Sequence, residues 1–400
     1  MTRSTPFAAI AGLGLLALLA SRPAVAAEPP GIVRQPIFEV ENKHNHASCV
    51  IETASGDLLA TWYSGTGERQ ADDVEIQGAW LAKGADTWSP RFQMADTPGY
   101  PDCNPALFAA PDGRVWLFWP TILDHHWESA LLKYKVANPP QTPPGPIEWN
   151  RSDVLHLTPD ADQFVKAIKD GLAGLTAAEK EKYREELEPF EERAGDLLYQ
   201  RLGWMPRVHA VALPSGRWIL PLYCDTFSAS IMAISDDQGE SWRAGDLMVG
   251  FGNIQPSLVR KNNGELVAFM RDNGPHRKIR VSASPDEGKT WSPVVDSALP
   301  NPGAGIEAIR LDNGVWALVY NDLERGRHSL AVSLSNDEGA TWPVTRHVER
   351  TEPGGGSFHY PSMIQARDGA IHLTYTHTLR SNVSTITHAT FTEDWVRAGD

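Results

Sequence analysis

The chain has 400 residues, of which 42% are hydrophobic and 22% charged, so it can bury a core and is not a disordered segment. A formal net charge of −14 excludes the basic face that nucleic-acid binding needs, and it leaves any anionic ligand to be held by local cations. Three cysteines (Cys49, Cys103 and Cys224) exclude a disulfide framework.

In chain order, Arg3 is followed by the apolar run Phe7 to Leu19 and by the small-x-small triplet Ala24-Val25-Ala26. This predicts a signal peptide over residues 1–27, and hence a secreted or periplasmic protein. No later stretch reaches the roughly 18 apolar residues of a spanning helix, so no membrane span is expected after signal cleavage. Residues 28–400 are read as a single domain.

That domain repeats itself. Ser55-Gly56, Asp112-Gly113, Ser215-Gly216, Asn263-Gly264, Asn313-Gly314 and Asp368-Gly369 each precede an apolar strand, such as Val115-Trp116-Leu117-Phe118-Trp119. Asn-Gly and Asp-Gly suit tight hairpins because both central residues accept positive φ. The turns recur about every 50 residues, with one interval doubled, which predicts an all-β, six-bladed β-propeller with one four-stranded blade per turn. The doubled interval holds the Pro-rich run Asn138 to Pro146, then Phe164, Ile168, Leu172 and Leu175 at helical spacing, then a charged amphipathic stretch. It predicts a helical insertion over about 138–202, either shaping the rim of the site or decorating the surface away from it.

A second repeat runs in phase with the first. Ser235 to Trp242, Ser284 to Trp291 and Ser335 to Trp342 fit S-x-D-x-G-x-[ST]-W, and a worn copy ends in Asp86-Thr87-Trp88. The Asp can bond turn backbone, the Gly permits the reversal, and the Trp packs between neighbouring sheets. These positions read as structural.

Together these motifs resemble the sialidase superfamily of exported bacterial BNR/Asp-box propellers, over roughly residues 40–395 without the insertion. The resemblance implies a glycan substrate and, in its catalytic members, an arginine triad on the substrate carboxylate, a Tyr–Glu nucleophile pair and an Asp acid/base. Arg271 in Phe269-Met270-Arg271 and Arg327 in Arg325-Gly326-Arg327 match triad arginines. Tyr360 matches the nucleophile, and Asp73 or Asp72 in the loop Gly67 to Asp73 matches the acid/base. Two positions depart from the pattern: His46 stands where the first arginine is expected, and Gln255 stands where the glutamate is expected. A His cannot copy an arginine fork, and a Gln cannot take a phenol proton.

The repeat phase marks site positions independently. Residues about 9–10 positions before each hairpin Gly are His46, Asn104, Arg207, Gln255, Gly305 and Tyr360. Those after it include Tyr63, Tyr223 with Asp225 close by, Arg271 and Asn321. The candidate catalytic set is Asp73, Tyr360 and His46. The candidate binding set is Arg271, Arg327, Gln255, Arg207, His209, Tyr223 and Asn104. The leading expectation is a sialidase-like exo-glycosidase acting on an acidic or modified terminal sugar. The alternatives are a polysaccharide lyase acting on a uronate glycan, with His46, Arg207, His209, Tyr223 and Tyr360 in its roles, and a non-catalytic glycan-binding propeller. No phosphate loop, dinucleotide Gly motif or Gly-x-Ser-x-Gly is present, and His44-Asn45-His46 and Asp124-His125-His126 lack further metal-ligand spacing. No cofactor or metal is expected.

Overall fold

Each of the six glycine turns closes a hairpin between the innermost and second strands of a sheet. Gly56, Gly113, Gly216, Gly264, Gly314 and Gly369 all have positive φ, between 87° and 95°, where a side chain would be strained. The computed structural model describes Met1, residues 31–139 and residues 143–400. The expected signal segment, residues 1–27, lies outside the described residues apart from Met1.

The sheets are six, antiparallel and four-stranded. Their innermost strands are His44–Glu52, Ala106–Ala109, Val211–Ala212, Asn253–Arg260, Glu307–Arg310 and Ser357–Gln365, in blades one to six. The last blade is completed by the first strand among the described residues: Ile32 pairs with Phe391 and Pro36 with Thr387. This pairing joins the two ends of the described chain and closes the ring of blades. Arg34, Gln35 and Pro36 belong to this closing strand, with Arg34 Nε donating to Val348 O at 3.0 Å.

The second repeat forms three like turns. In the first, Ser241 N donates to Asp237 Oδ1 at 2.9 Å and Gly239 N to Ser235 Oγ at 2.8 Å. Thr290 N on Asp286 (2.9 Å) and Thr341 N on Asp337 (2.8 Å) repeat the pattern. The tryptophans reach across to the preceding blade. Trp242 meets Phe118 edge-on at 5.9 Å, and Trp342 meets Phe269 at 5.8 Å. Such aromatic contacts add to the area buried between blades.

The helical insertion is shorter than expected from the sequence. Strand Arg151–Val154 lies inside the expected 138–202 range but is the outer strand of blade two, pairing with Lys133 to Val136. The helices run from Ala161–Gly174 to Leu197–Arg201. Asp160 caps the first by accepting from Gln163 N, and Thr176 with Glu179 forms a capping box on the second. Phe164 and Ile168 are buried, and Phe164 meets Phe227 at 5.3 Å. Phe190 contacts both Phe227 (5.6 Å) and Phe251 (5.7 Å). Phe227 and Phe251 lie in loops of blades three and four, so the insertion sits over the rim. Cys49, Cys103 and Cys224 are free and buried.

Candidate functional site

A repeated backbone irregularity builds the site. The innermost strands of blades one, four and six slip register between His46 and Cys49, Ile254 and Ser257, and His359 and Ser362. The slipped residues Ala47, Gln255 and Tyr360 have positive φ (56°, 57° and 46°), and Asn104 has the same geometry at 43° just before the strand of blade two. Proline follows Asn104, Gln255 and Tyr360 and has no N–H to give to a ladder. A non-glycine residue held at positive φ costs about 1–3 kcal/mol, and such strain gathers at ligand sites. Here it recurs around one cavity.

That cavity has a volume of about 330 Å³. The bulges place Gln255 and Tyr360 in its wall, and the positive-φ backbone before the blade-two strand places Asn104 there. Ends of second strands add Tyr223, Asp225 and Arg271, and loops add Glu68, Trp127, Asn273 and Arg327, with His46 completing the lining. In blade one the bulge residue is Ala47, which offers no functional group, and His46 beside it enters instead. In blade five the phase falls on Gly305. A Cβ there would lie 2.9 Å from Tyr360 Cδ1 and 3.2 Å from Gln255 Oε1, so the missing side chain makes room for the tyrosine.

Tyr360 is the hub. Its Oη accepts from Arg271 Nη1 at 2.9 Å and from Gln255 Nε2 at 3.1 Å. Arg207 and Arg327 stand 4.7 Å and 5.8 Å from the centre of its ring, and the His46 ring lies at 4.4 Å. Gln255 Nε2 and Asn104 Nδ2 also approach Tyr223 Oη, at 3.2 Å and 3.3 Å. Arg271 Nη2 donates to Asn273 Oδ1 at 3.1 Å. Asn104 Oδ1, Gln255 Oε1 and Arg271 Nε are buried without a protein partner, as polar atoms that serve a ligand are.

Burial lowers the pKa of His46 well below the ordinary imidazole value, helped by neighbouring His359, His44, Arg327 and Arg207. It is therefore neutral at pH 7, with Nδ1 3.1 Å from Thr376 Oγ1. Burial also lowers His359, to about 3, with Arg327 adding to the effect. Arg327 Nη1 donates to His359 Nδ1 at 2.7 Å and Nη2 to Gly303 O at 2.7 Å, which fixes the guanidinium. Asp225 moves the other way: burial raises it to about 6, against the lowering charge of Arg271. A carboxyl titrating there can exchange a proton near neutrality. Glu68 accepts from Tyr63 Oη at 2.6 Å, and His44 Nε2 lies 3.3 Å from the same oxygen.

The structure thus brings together Tyr360, His46, Arg271, Arg327, Gln255, Tyr223 and Asn104. It leaves three other candidates off the cavity lining. Asp73 accepts from Thr66 N (3.1 Å) and Thr66 Oγ1 (2.8 Å) and so folds its own loop. Arg207 is 1% exposed and lies beneath the Tyr360 ring, donating to Ser48 O (3.2 Å) and Pro361 O (3.1 Å). His209 is farther down the axis. Its Nδ1 is 2.6 Å from Glu307 Oε1 and its Nε2 is 2.7 Å from Val50 O. Glu68, Asp225, Trp127 and Asn273 were not singled out as site residues. Glu68 stands in the loop that gave Asp73, and Asp225 is two residues past Tyr223. Among the described residues no group of three or more His, Cys, Asp or Glu could hold a metal ion.

A family model for the BNR repeat-like domain matches residues 56–138 and 203–373, more than half of the chain. The chain belongs to the BNR repeat-like family. The unmatched stretch between those segments contains the helical insertion. A sialidase of Micromonospora viridifaciens is 28% identical over 156 residues, which is 36% of this chain and 23% of that protein. The match therefore spans under a quarter of that relative's length. Among solved structures, a Dyadobacter fermentans protein of unknown function aligns with a TM-score of 0.65 at 16% identity, over 90% of this chain and 99% of its own. Trypanosoma rangeli sialidase aligns with a TM-score of 0.66 at 13% identity, over 92% and 60%. The structural likenesses establish the sialidase-like six-bladed propeller fold, and the Micromonospora match marks a distant sialidase homologue over that stretch.

Proposed function

We propose that this BNR repeat-like protein is an exported glycoside hydrolase that takes a terminal acidic sugar into the central cavity. One observation carries the reading: Arg271, Arg327 and Tyr360 converge in a small, strongly polar cavity that also holds Asp225. Two fixed guanidinium groups suit a carboxylate or another planar anion. In this reading the acidic group of the sugar lies against Arg271 and Arg327. Asp225, when protonated, gives its proton to the leaving oxygen as the glycosidic bond breaks. Tyr360 Oη, backed by Arg271 and Gln255, faces the anomeric carbon as positive charge develops there; water then adds to that carbon, its hydroxyl going to the product and its other proton returning to the Asp225 carboxylate. Export is supported by the N-terminal sequence pattern.

Elimination on a uronate chain is the second reading, favoured by the contact of His46 with Tyr360. Its weakness is electrostatic. An imidazole surrounded by burial and cations is a poor proton acceptor, because its protonated form is disfavoured. The deciding experiment is incubation of the purified protein with sialylated, uronate and sulfated glycans. Hydrolysis releases a saturated acidic sugar. Elimination leaves an unsaturated uronate that absorbs in the ultraviolet, and its appearance would overturn the hydrolase reading. Binding without turnover across the panel would leave only a glycan-binding propeller.

A further inference from the structure

A second cleft, of about 510 Å³, opens between the helical insertion and the propeller. This size lies within the range of roughly 300–1,000 Å³ usual for small-molecule sites. On the propeller side its walls are loops that already serve the central cavity. Ser228 follows Asp225, Phe251 precedes Gln255, and Arg325 precedes Arg327. Asn273, two residues past Arg271, lines both spaces. The cleft is thus a lateral continuation of the cavity at the same end of the ring.

The junction is built rather than incidental. Gly252 N donates to Ser228 O at 2.9 Å, and Asn273 N donates to Gly252 O at 2.7 Å, so a backbone chain ties the loops of blades three and four. A Cβ on Gly252 would sit 2.8 Å from Gly274 N, and one on Gly274 would sit 2.9 Å from Phe251 O. Only glycines let the two loops approach this closely. The opposite wall comes from the insertion, whose Phe190 is anchored on Phe227 and Phe251.

The lining has a definite chemistry. Arg325 is exposed and has no ion pair or hydrogen bond among the described residues. Lys182 stands 4.9 Å from the ring centre of Tyr183. Of the two carboxylates in the wall, Glu179 is engaged by Thr176 N (2.8 Å) and Thr176 Oγ1 (2.7 Å), which leaves Glu186. An exposed arginine and a lysine seated on a half-buried tyrosine, with Arg277 also in the wall, on a chain of net charge −14, make a local surface for an anionic ligand with an apolar face. Sugar rings of an acidic glycan have both features.

We infer that this cleft is a second subsite, which binds the acidic sugar unit following the one held in the central cavity. Arg325 and Lys182 take its acidic group, and the face of Tyr183 that Lys182 does not cover takes its ring. The inference rests on the proposed function, since the occupant is the continuation of the same glycan. It assigns the insertion a role in recognising chain length.

Calorimetry tests it, with sialylated, hyaluronan, chondroitin and oligogalacturonate tetrasaccharides compared with their own terminal monosaccharides. At least one tetrasaccharide should bind about tenfold more tightly than its monosaccharide, the scale of one charge-assisted hydrogen bond. The double variant Arg325→Ala/Tyr183→Ala should lose that increment and keep the monosaccharide affinity. Arg271→Ala should lose both. If monosaccharides bind but no tetrasaccharide gains, or if the gain survives in the double variant, the subsite is refuted and the cavity reading stands. If no probe of either length binds, both fall together. Both substituted side chains lie outside the buried core, and an unchanged thermal melt confirms that the variant is folded.

Discussion

Arg271 donates through Nη1 to Tyr360 Oη at 2.9 Å, joining the end of a second strand in blade four to a strained bulge in blade six. The same guanidinium holds Asn273 through Nη2, so one side chain fixes the Tyr360 hydroxyl and the wall shared with the neighbouring cleft. Lysine at this position keeps the charge but not the two-pronged geometry. Arg271→Lys should lower kcat/KM on an acidic substrate by roughly 10–100-fold, the range of a charge-assisted hydrogen bond of about 1.5–3 kcal/mol. Tyr360→Phe should cost at least as much, because only the oxygen is removed. Steady-state kinetics with an unchanged circular dichroism spectrum is the check.

Asp225 sets the expected pH dependence. Its pKa is raised by burial to about 6, so the protonated form prevails below that pH and is lost above it. A step that needs this proton declines as pH rises through about 6. The alkaline limb of kcat/KM should bend near that value in the wild type, and Asp225→Asn should abolish both the limb and most of the activity. A limb unchanged in Asp225→Asn would remove Asp225 from the role of acid.

The ring was legible in the sequence because its signals are local. A hairpin needs a glycine at positive φ, and the Ser-Asp-Gly-Trp turns satisfy their own backbone, so neither depends on distant neighbours. Counting from those glycines also reached Asn104, Gln255 and Tyr360, whose positive-φ positions keep the same phase. The loops were less legible. Glu68 and Asp73 are five residues apart in one segment. Tyr63 Oη on Glu68 and Thr66 on Asp73 place one at the cavity and the other away from it. Both contacts span only five and seven residues, but which carboxylate of a loop a neighbouring hydroxyl selects has no sequence signature. His209 shows a different limit. It lies two residues past Arg207, across the bend at Val208 and ahead of the strand Val211–Ala212, and there it meets a different set of partners.

Those partners make His209 a pH-sensitive clamp. Both ring nitrogens face acceptors, Glu307 Oε1 and Val50 O, and Glu307 Oε2 also accepts from Met363 N at 2.7 Å. Blades one, three, five and six meet at this point. Burial opposes the charge, yet Cys49 and Glu307 hold the pKa of His209 well above 6.5. A group whose folded pKa is raised gives its full stabilisation below its unfolded pKa and loses it as pH rises through the folded value. Melting temperature should therefore fall as pH is raised from about 6.5 into the alkaline range. His209→Ala should flatten that slope while costing about 3–5 kcal/mol, because Glu307 is left buried without its partner. Thermal melts across pH decide it; a slope unchanged in His209→Ala would show that another group carries it.

Gly305 offers the most selective test of the cavity. It occupies the blade-five position equivalent to Tyr360 and Gln255, and its φ is not among the positive values, so alanine brings no backbone strain there. The obstacle is space: the new Cβ would stand 2.9 Å from the Tyr360 ring and 3.2 Å from Gln255 Oε1. Overpacking of this kind typically costs about 1–3 kcal/mol. Displacement of Tyr360 by even about 1 Å can cost roughly 100-fold in rate. Gly305→Ala should therefore melt only a few degrees below the wild type while losing most of its turnover. Gly145→Ala, whose added Cβ meets nothing within 4 Å, serves as the control and should lose neither. Full activity in Gly305→Ala would mean that the position of Tyr360 is not what the reaction depends on.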